Sequence, residues 1–172
     1  MQERILKARE RRWNTRCSLA DKFSLPVVSI TVNIPGPIKT RGEYIRAHSI
    51  ILEDFEKVVK DKGFAIVYRD LRLADDGPEA FVVLEGGEVQ LKRVCVMIEE
   101  THPLGRLADI DVMDSRKRVL SRQDIGAPER KCYLCDEPAQ RCIILRKHPL
   151  EEVIKEVNRI LADYGIKGQA YV

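Results

Sequence analysis

The stretch His102-Pro103-Leu104-Gly105-Arg106-Leu107-Ala108-Asp109-Ile110-Asp111-Val112 sets two carboxylates two positions apart inside an apolar run. A proline- and glycine-marked turn feeding such a run reads as a loop entering a strand. Side chains alternate across a strand, so Asp109 and Asp111 share one face, roughly 7 Å apart along it, while Ile110 and Val112 point into a core. A hard divalent cation suits that pair. Magnesium takes oxygen ligands, keeps several waters, and binds through one or two carboxylates together with substrate phosphates. Two solvated aspartates at a strand end would give the same short pattern, so the neighbours decide. Gly105 and Arg106 precede the pair; Ser121, Arg122, Asp124 and Arg130 follow it. Arginine and glycine supply what a triphosphate needs, positive charge and close backbone approach.

Working outward, Pro26 ends any preceding helix, and Val27 to Val32 is rich in β-branched residues, which predicts a buried strand. Pro35-Gly36-Pro37 reads as a rigid turn offering close approach at Gly36. The spacing of Ile45, Ile50, Leu52, Phe55, Val58 and Val59 predicts a helix over 43–62, stopped by Gly63. Residues 64–73 read as a strand, 78–84 as a short helix opened by Pro78, and 89–98 as a further strand. Residues 118–121 are expected to return as a hairpin. Leu150, Val153, Ile154, Val157, Ile160 and Leu161 form one apolar stripe over 149–164, closed by Gly165. Interleaved strands and helices give an α/β or α+β fold, a single domain with a mixed sheet flanked by helices. The expected organisation is a basic N-terminal helix over 1–24 and a main domain over 25–172.

With 172 residues and 44% apolar content, the chain is long enough for one sizeable core. Its net charge of +3 does not demand a nucleic-acid partner. Charge is concentrated instead between Met1 and Lys22, where seven basic residues face three acidic ones. No apolar run has the length of a membrane span or a secretory signal, so no membrane partner and a cytoplasmic location are expected. Five cysteines, an odd number, argue for reduced thiols or a metal site over a disulfide framework. Cys132-Tyr133-Leu134-Cys135, then Cys142 and His148, are four ligands of the kind zinc prefers, in a compact Cys/His-rich segment over 130–148. Three cysteines and a histidine also serve as packing groups.

The chain resembles a known family on motifs longer than the acidic pair. The run His102-Pro103-Leu104-Gly105-Arg106-Leu107-x-Asp109-Ile110-Asp111-Val112 is followed by Leu120-Ser121-Arg122-x-Asp124 and Pro128-x-Arg130-x-Cys132-x-x-Cys135, with Pro26-Val27-Val28-Ser29 and Pro35-Gly36-Pro37-Ile38-Lys39 upstream. Together, over about Leu25 to His148, these resemble the apo-citrate lyase phosphoribosyl-dephospho-CoA transferases, or holo-citrate lyase synthases. The resemblance implies a nucleotidyltransferase-like fold and a defined reaction. Phosphoribosyl-dephospho-CoA passes from triphosphoribosyl-dephospho-CoA to a serine of the citrate lyase acyl carrier (gamma) subunit, and pyrophosphate leaves.

On that reading Asp109 and Asp111 are the catalytic pair and hold Mg2+, with Asp124 as the candidate third carboxylate and Glu99 or Glu100 as its rivals. Arg106, Arg122 and Arg130 are candidates to clamp pyrophosphate. Gly105 lets backbone approach phosphate, His102 orients the loop or relays a proton, and Ser121 bonds phosphate. Cys132, Cys135, Cys142 and His148 are the candidate structural Zn2+ ligands. Two rival readings are the same chemistry on another carrier, such as that of malonate decarboxylase, and a small zinc-containing nucleic-acid-binding module. Against the module, positive charge is not sustained along the chain and its aromatics form no recognisable RNA-binding motif.

Overall fold

Every residue of the strand β1, Val27–Val32, is buried, which marks it as the centre of the sheet. The computed structural model describes residues 2–167, so residues 168–172 of the expected main domain lie outside it. β1 is flanked on one side by β3 (Gly77–Glu85) and on the other by β4 (Ala108–Met113). β2 (Ala65–Ala74) pairs outside β3, and the two-residue β5 (Val119–Leu120) outside β4, giving the order β2-β3-β1-β4-β5.

All four pairings are antiparallel, which corrects the expected mixed sheet. Helices do alternate with strands, but each long crossover skips a position. From β1, α2 (Gly42–Asp61) leads past β3 to β2; from β3, α3 (Glu88–Thr101) leads past β1 to β4. Each skipped position holds a strand running the other way, so no parallel neighbours arise. The architecture is α+β in a single domain.

Two segments differ from their expected type. Residues 78–84 belong to β3. Ala80, Val82 and Leu84 face one core and Phe81 and Val83 the other, so the apolar run is a strand buried on both faces. Pro78 lies just outside the stretch paired with β1, where its missing N–H breaks no bond to that strand. Residues 89–98 form most of α3. Leu91, Val94, Cys95 and Ile98 are its buried stripe at i, i+3, i+4 and i+7, a helical period that outweighs the alternation of Val94, Val96 and Ile98.

The sheet separates two layers. α2, α3 and α5 (Leu150–Asp163) supply the main core against Val28, Ile30, Val32, Ile110 and Val112. α1 (Gln2–Phe23) covers the other face through Leu19 and Ala20 against Val27, Phe81, Val83 and Met113. Among the described residues, no helix is long and apolar enough to cross a membrane. The short helix α4 (Ala139–Ile144) lies between β5 and α5 in the chain.

Candidate active site

β5 stops after two residues, pairing only with Val112 and Met113. The first half of β4 is therefore a sheet edge, and its backbone groups need other partners. Side chains provide them. Glu99 Oε1 accepts the Ile110 N–H at 3.0 Å, Lys92 Nζ donates to the Ile110 carbonyl at 3.2 Å, and Arg130 Nη2 donates to the Ala108 carbonyl at 2.8 Å. A cavity of about 550 Å³ opens at this edge, lined by Asp109, Asp111, Ser121, Arg122 and Arg130 among others.

Asp109 and Asp111 stand on the face opposite Ile110 and Val112, as the alternation requires. Their side chains are 49% and 43% exposed. In register they oppose Thr31 and Ser29 of β1. Removal of water around Asp109, with the charge of Asp111, raises the Asp109 pKa above the usual carboxylate value, and Arg130 only partly offsets this. Arg130 Nη1 stands off at 3.9 Å from Asp109, while Arg16 Nη1 donates to Asp111 at 3.2 Å. Two like charges, one held back from ionising and both open to the cavity, are a donor set that fits a hard cation.

Buried Glu99 organises the arginines. Its carboxylate meets Arg122 Nη2 at 2.5 Å and Arg130 Nη2 at 2.7 Å, and Arg122 also reaches Glu100 at 2.8 Å. Glu99 is thereby committed to bracing, and is not a free third carboxylate. Asp124 does not line the cavity. It accepts from the Ser121 amide and hydroxyl at 2.7 and 2.8 Å and from Arg118 at 2.9 Å, and those bonds, led by the amide, hold its pKa down at about 2.

His102, Gly105 and Arg106 also lie outside the cavity lining. His102 Nδ1 accepts the Leu104 N–H, so Nε2 carries the ring proton and donates to Asp54 at 3.0 Å, tying the loop to α2. A Cβ on Gly105 would come within 2.5 Å of the Ile98 carbonyl oxygen and 2.6 Å of that of Glu99, so glycine here lets the loop turn close against the end of α3. Arg106 stacks over Tyr133 and donates to the carbonyls of Lys131 and Cys132 at 2.8 and 2.7 Å. These three residues support the loops on either side of the acidic strand. Gly36 packs toward Ile154 and Leu150 of α5.

A family model described as apo-citrate lyase phosphoribosyl-dephospho-CoA transferase matches residues 1–164. The chain belongs to that family. A probable apo-citrate lyase phosphoribosyl-dephospho-CoA transferase of Vibrio cholerae serotype O1 (strain M66-2) is 32% identical over 164 residues, covering 95% of this chain and 92% of the relative. Family members from Citrobacter koseri (32% identical, covering 91% of this chain and 82% of the relative) and Escherichia coli O1:K1 / APEC (30%, covering 92% and 87%) are similar over nearly the same span. The match begins at residue 1, so α1 belongs to the family region.

That helix brings the residue that sequence reasoning missed. Arg16 is buried, 3.3 Å from Ser29 Oγ as well as close to Asp111. Ala8, Arg12, Arg16 and Ala20 follow one another at four-residue spacing on the inward side of α1, so arginines embedded in an apolar stripe were the available signal. Arg12 meets Asp76 and, at 3.0 Å, Glu79. Beyond the cavity edge, the ligand atoms of Cys132, Cys135, Cys142 and His148 all lie within 4.8 Å of one another, a Cys3His cluster able to hold a metal such as zinc.

Proposed function

We infer that this chain carries out its family's reaction, the transfer of phosphoribosyl-dephospho-CoA to apo-citrate lyase, and that it does so in the cavity at the open edge of β4. The donor is triphosphoribosyl-dephospho-CoA and the acceptor a serine hydroxyl of the acyl carrier subunit. The serine oxygen forms a bond to the phosphorus nearest the ribose as that phosphorus loses its bond to the bridging oxygen. Pyrophosphate departs and the serine proton is released to solvent. This is nucleotidyltransferase chemistry, and the fold is assigned as nucleotidyltransferase-like on that basis. Residues 25–172 act as the transferase domain, and the basic helix over 1–24 lends it Arg16.

Asp109 and Asp111, paired on one strand face and both half-exposed to the cavity, are the observation that carries the reading. They would hold magnesium, which when bound supplies neutralising charge on the triphosphate and acidity to a coordinated hydroxyl. Arg130 and Arg122, kept in place by Glu99, face the cavity as fixed positive charge for the oxygens that become pyrophosphate. Ser121, whose hydroxyl is already oriented by Asp124, lies beside them. Such preorganised charge costs little reorganisation when the leaving group forms, which is the main requirement of phosphoryl-type transfer.

Apo carrier subunit, donor and magnesium incubated with the enzyme should yield carrier heavier by the prosthetic group and one pyrophosphate per carrier, by intact mass and a coupled pyrophosphate assay. Chelator should stop both. Undiminished transfer in chelator would remove the metal from the scheme, and no mass gain on this carrier beside a gain on that of malonate decarboxylase would reassign the acceptor.

A further inference from the structure

The chain from Arg130 to His148 has little core of its own. Ile143, Ile144 and Leu145 are 71%, 79% and 63% exposed, and Cys142 is the buried residue of α4. Yet this segment supplies the cavity with Arg130 at one end and with Pro138, Ala139 and Ile143 as a wall. Something other than apolar burial must hold it.

We propose that Cys132, Cys135, Cys142 and His148 bind one zinc ion that clamps this wall to the body of the transferase. All four ligand atoms lie within 4.8 Å of one another, and the two edges at Cys135 come within about 0.3 Å of those of an ion-binding tetrahedron. Metal–sulfur bonds of about 2.3 Å and metal–nitrogen bonds of about 2.0–2.1 Å give sulfur–sulfur edges near ~3.8 Å and sulfur–nitrogen edges near ~3.6 Å. Cys135 Sγ lies 3.5 Å from Cys142 Sγ and 3.3 Å from His148 Nε2. A disulfide would need its sulfurs at about 2.05 Å.

Backbone amides serve two of the three sulfurs. The amides of Leu134 and Cys135 point to the Cys132 sulfur, and the amide of Glu137 to that of Cys135. These are the turn-donated bonds that ligating sulfurs require. Binding releases three thiol protons, leaving three thiolates and a neutral imidazole around a dication, a net charge of −1. Lys147 Nζ, 4.0 Å from Cys135 Sγ, stands ready to balance it. Outside the ligands, the single Tyr133 hydroxyl proton is shared between the carbonyls of Asn33 and Arg106, at 2.8 and 3.0 Å, so the first Cys-x-x-Cys turn is pinned to the loops bordering β1 and β4.

The metal assignment stands independently of the transfer reaction, while the wall's part in catalysis rests on the cavity proposed above. The test is therefore spectroscopic first. Full-length protein purified under reducing conditions should carry one zinc per chain by elemental analysis. Exchange with cobalt(II) should give strong thiolate-to-metal charge-transfer absorption and intense tetrahedral d–d bands. Cys135→Ser should lose the metal and the charge-transfer intensity, whereas Cys17→Ser, outside the cluster, should keep both. If Cys135→Ser is insoluble, the cobalt spectrum of the unaltered chain decides alone. Substoichiometric zinc with a weak octahedral cobalt spectrum would overturn the proposal, as would a Cys135–Cys142 disulfide in protein isolated without reductant and lacking zinc.

Discussion

Two acidic clusters lie on the same face of the sheet, and they are treated in opposite ways. Glu79 on β3, Thr31 on β1 and Asp109 on β4 stand side by side in one cross-strand row. At one end Glu79 and Asp76 have side chains only 5% exposed and share Arg12 in close contact. At the other, Asp109 and Asp111 are nearly half exposed; Arg16 bonds Asp111 at 3.2 Å, but Asp109 has its arginine no nearer than 3.9 Å. Arg12 and Arg16 sit one turn apart on the same helix. A carboxylate sealed in with its cation is scaffold; a pair left half open to the cavity is available to a cation from outside.

The sharpest way to break that contrast is to remove charge at each end. Asp109→Asn should lower transfer by roughly 10³-fold or more while leaving the thermal midpoint nearly unchanged, because Arg130 keeps Glu99 as its close carboxylate; Asp111→Asn should lower transfer as much but also lower the midpoint, because buried Arg16 loses its carboxylate partner. A large fall in the midpoint with turnover kept would invert the assignment of the two clusters. Arg12→Gln should do the reverse, costing about 3 kcal/mol in urea unfolding by leaving Glu79 and Asp76 buried without their cation. Restoring stability by adding Glu79→Gln and Asp76→Asn would sharpen the point, and a neutral single substitution would refute it.

A smaller effect concerns ionisation. The Asp109 pKa is raised in the folded protein, so between the ordinary carboxylate value and the raised one the native state binds more protons than the unfolded state, and stability declines as pH rises through that window. Magnesium should relieve this, stabilising the protein more above the raised value than below it. In Asp111→Asn, carboxyl NMR should show the Asp109 titration moved to lower pH; an unmoved titration would mean the two groups do not sense each other. The smallest expected change is at the outer face of α1, where Arg9 and Arg11 are exposed while Arg12 is not. Arg9→Gln with Arg11→Gln should slow carrier modification a few-fold at low salt and little at high salt, because such charges act chiefly on encounter. Equal rates at both ionic strengths would leave the outer face without a part in recognition.

Much of this was readable from residues near one another in sequence. β1, α2, β4 and α5 follow from local period and punctuation, and the facing of Asp109 and Asp111 away from Ile110 and Val112 needs only strand alternation. What could not be read depends on distant segments. The antiparallel sheet arises because crossovers skip a strand, which no local pattern records. Glu99 reads in sequence as a candidate metal ligand, but Arg122 and Arg130 occupy it, and Arg16 is 95 positions from the aspartate it approaches. His102, Gly105 and Arg106 stand next to the acidic strand in sequence, but the loop turns the His102 and Arg106 side chains toward α2 and the Cys/His segment and packs the Gly105 backbone against the end of α3.

The docking of α1 has a consequence for how the molecule comes into being. This helix is synthesised ahead of the strands it packs on: Asp76 and Glu79 are 64 and 67 positions behind Arg12, and the sheet face that receives Leu19 and Ala20 includes Met113. During synthesis it has nothing to rest on, so a chain stalled before β4 would trail an unmated, strongly cationic segment open to proteases and polyanions. Completion of the cleft at the β4 edge is then the closing event of a long-range search, which favours slow folding of the nascent chain.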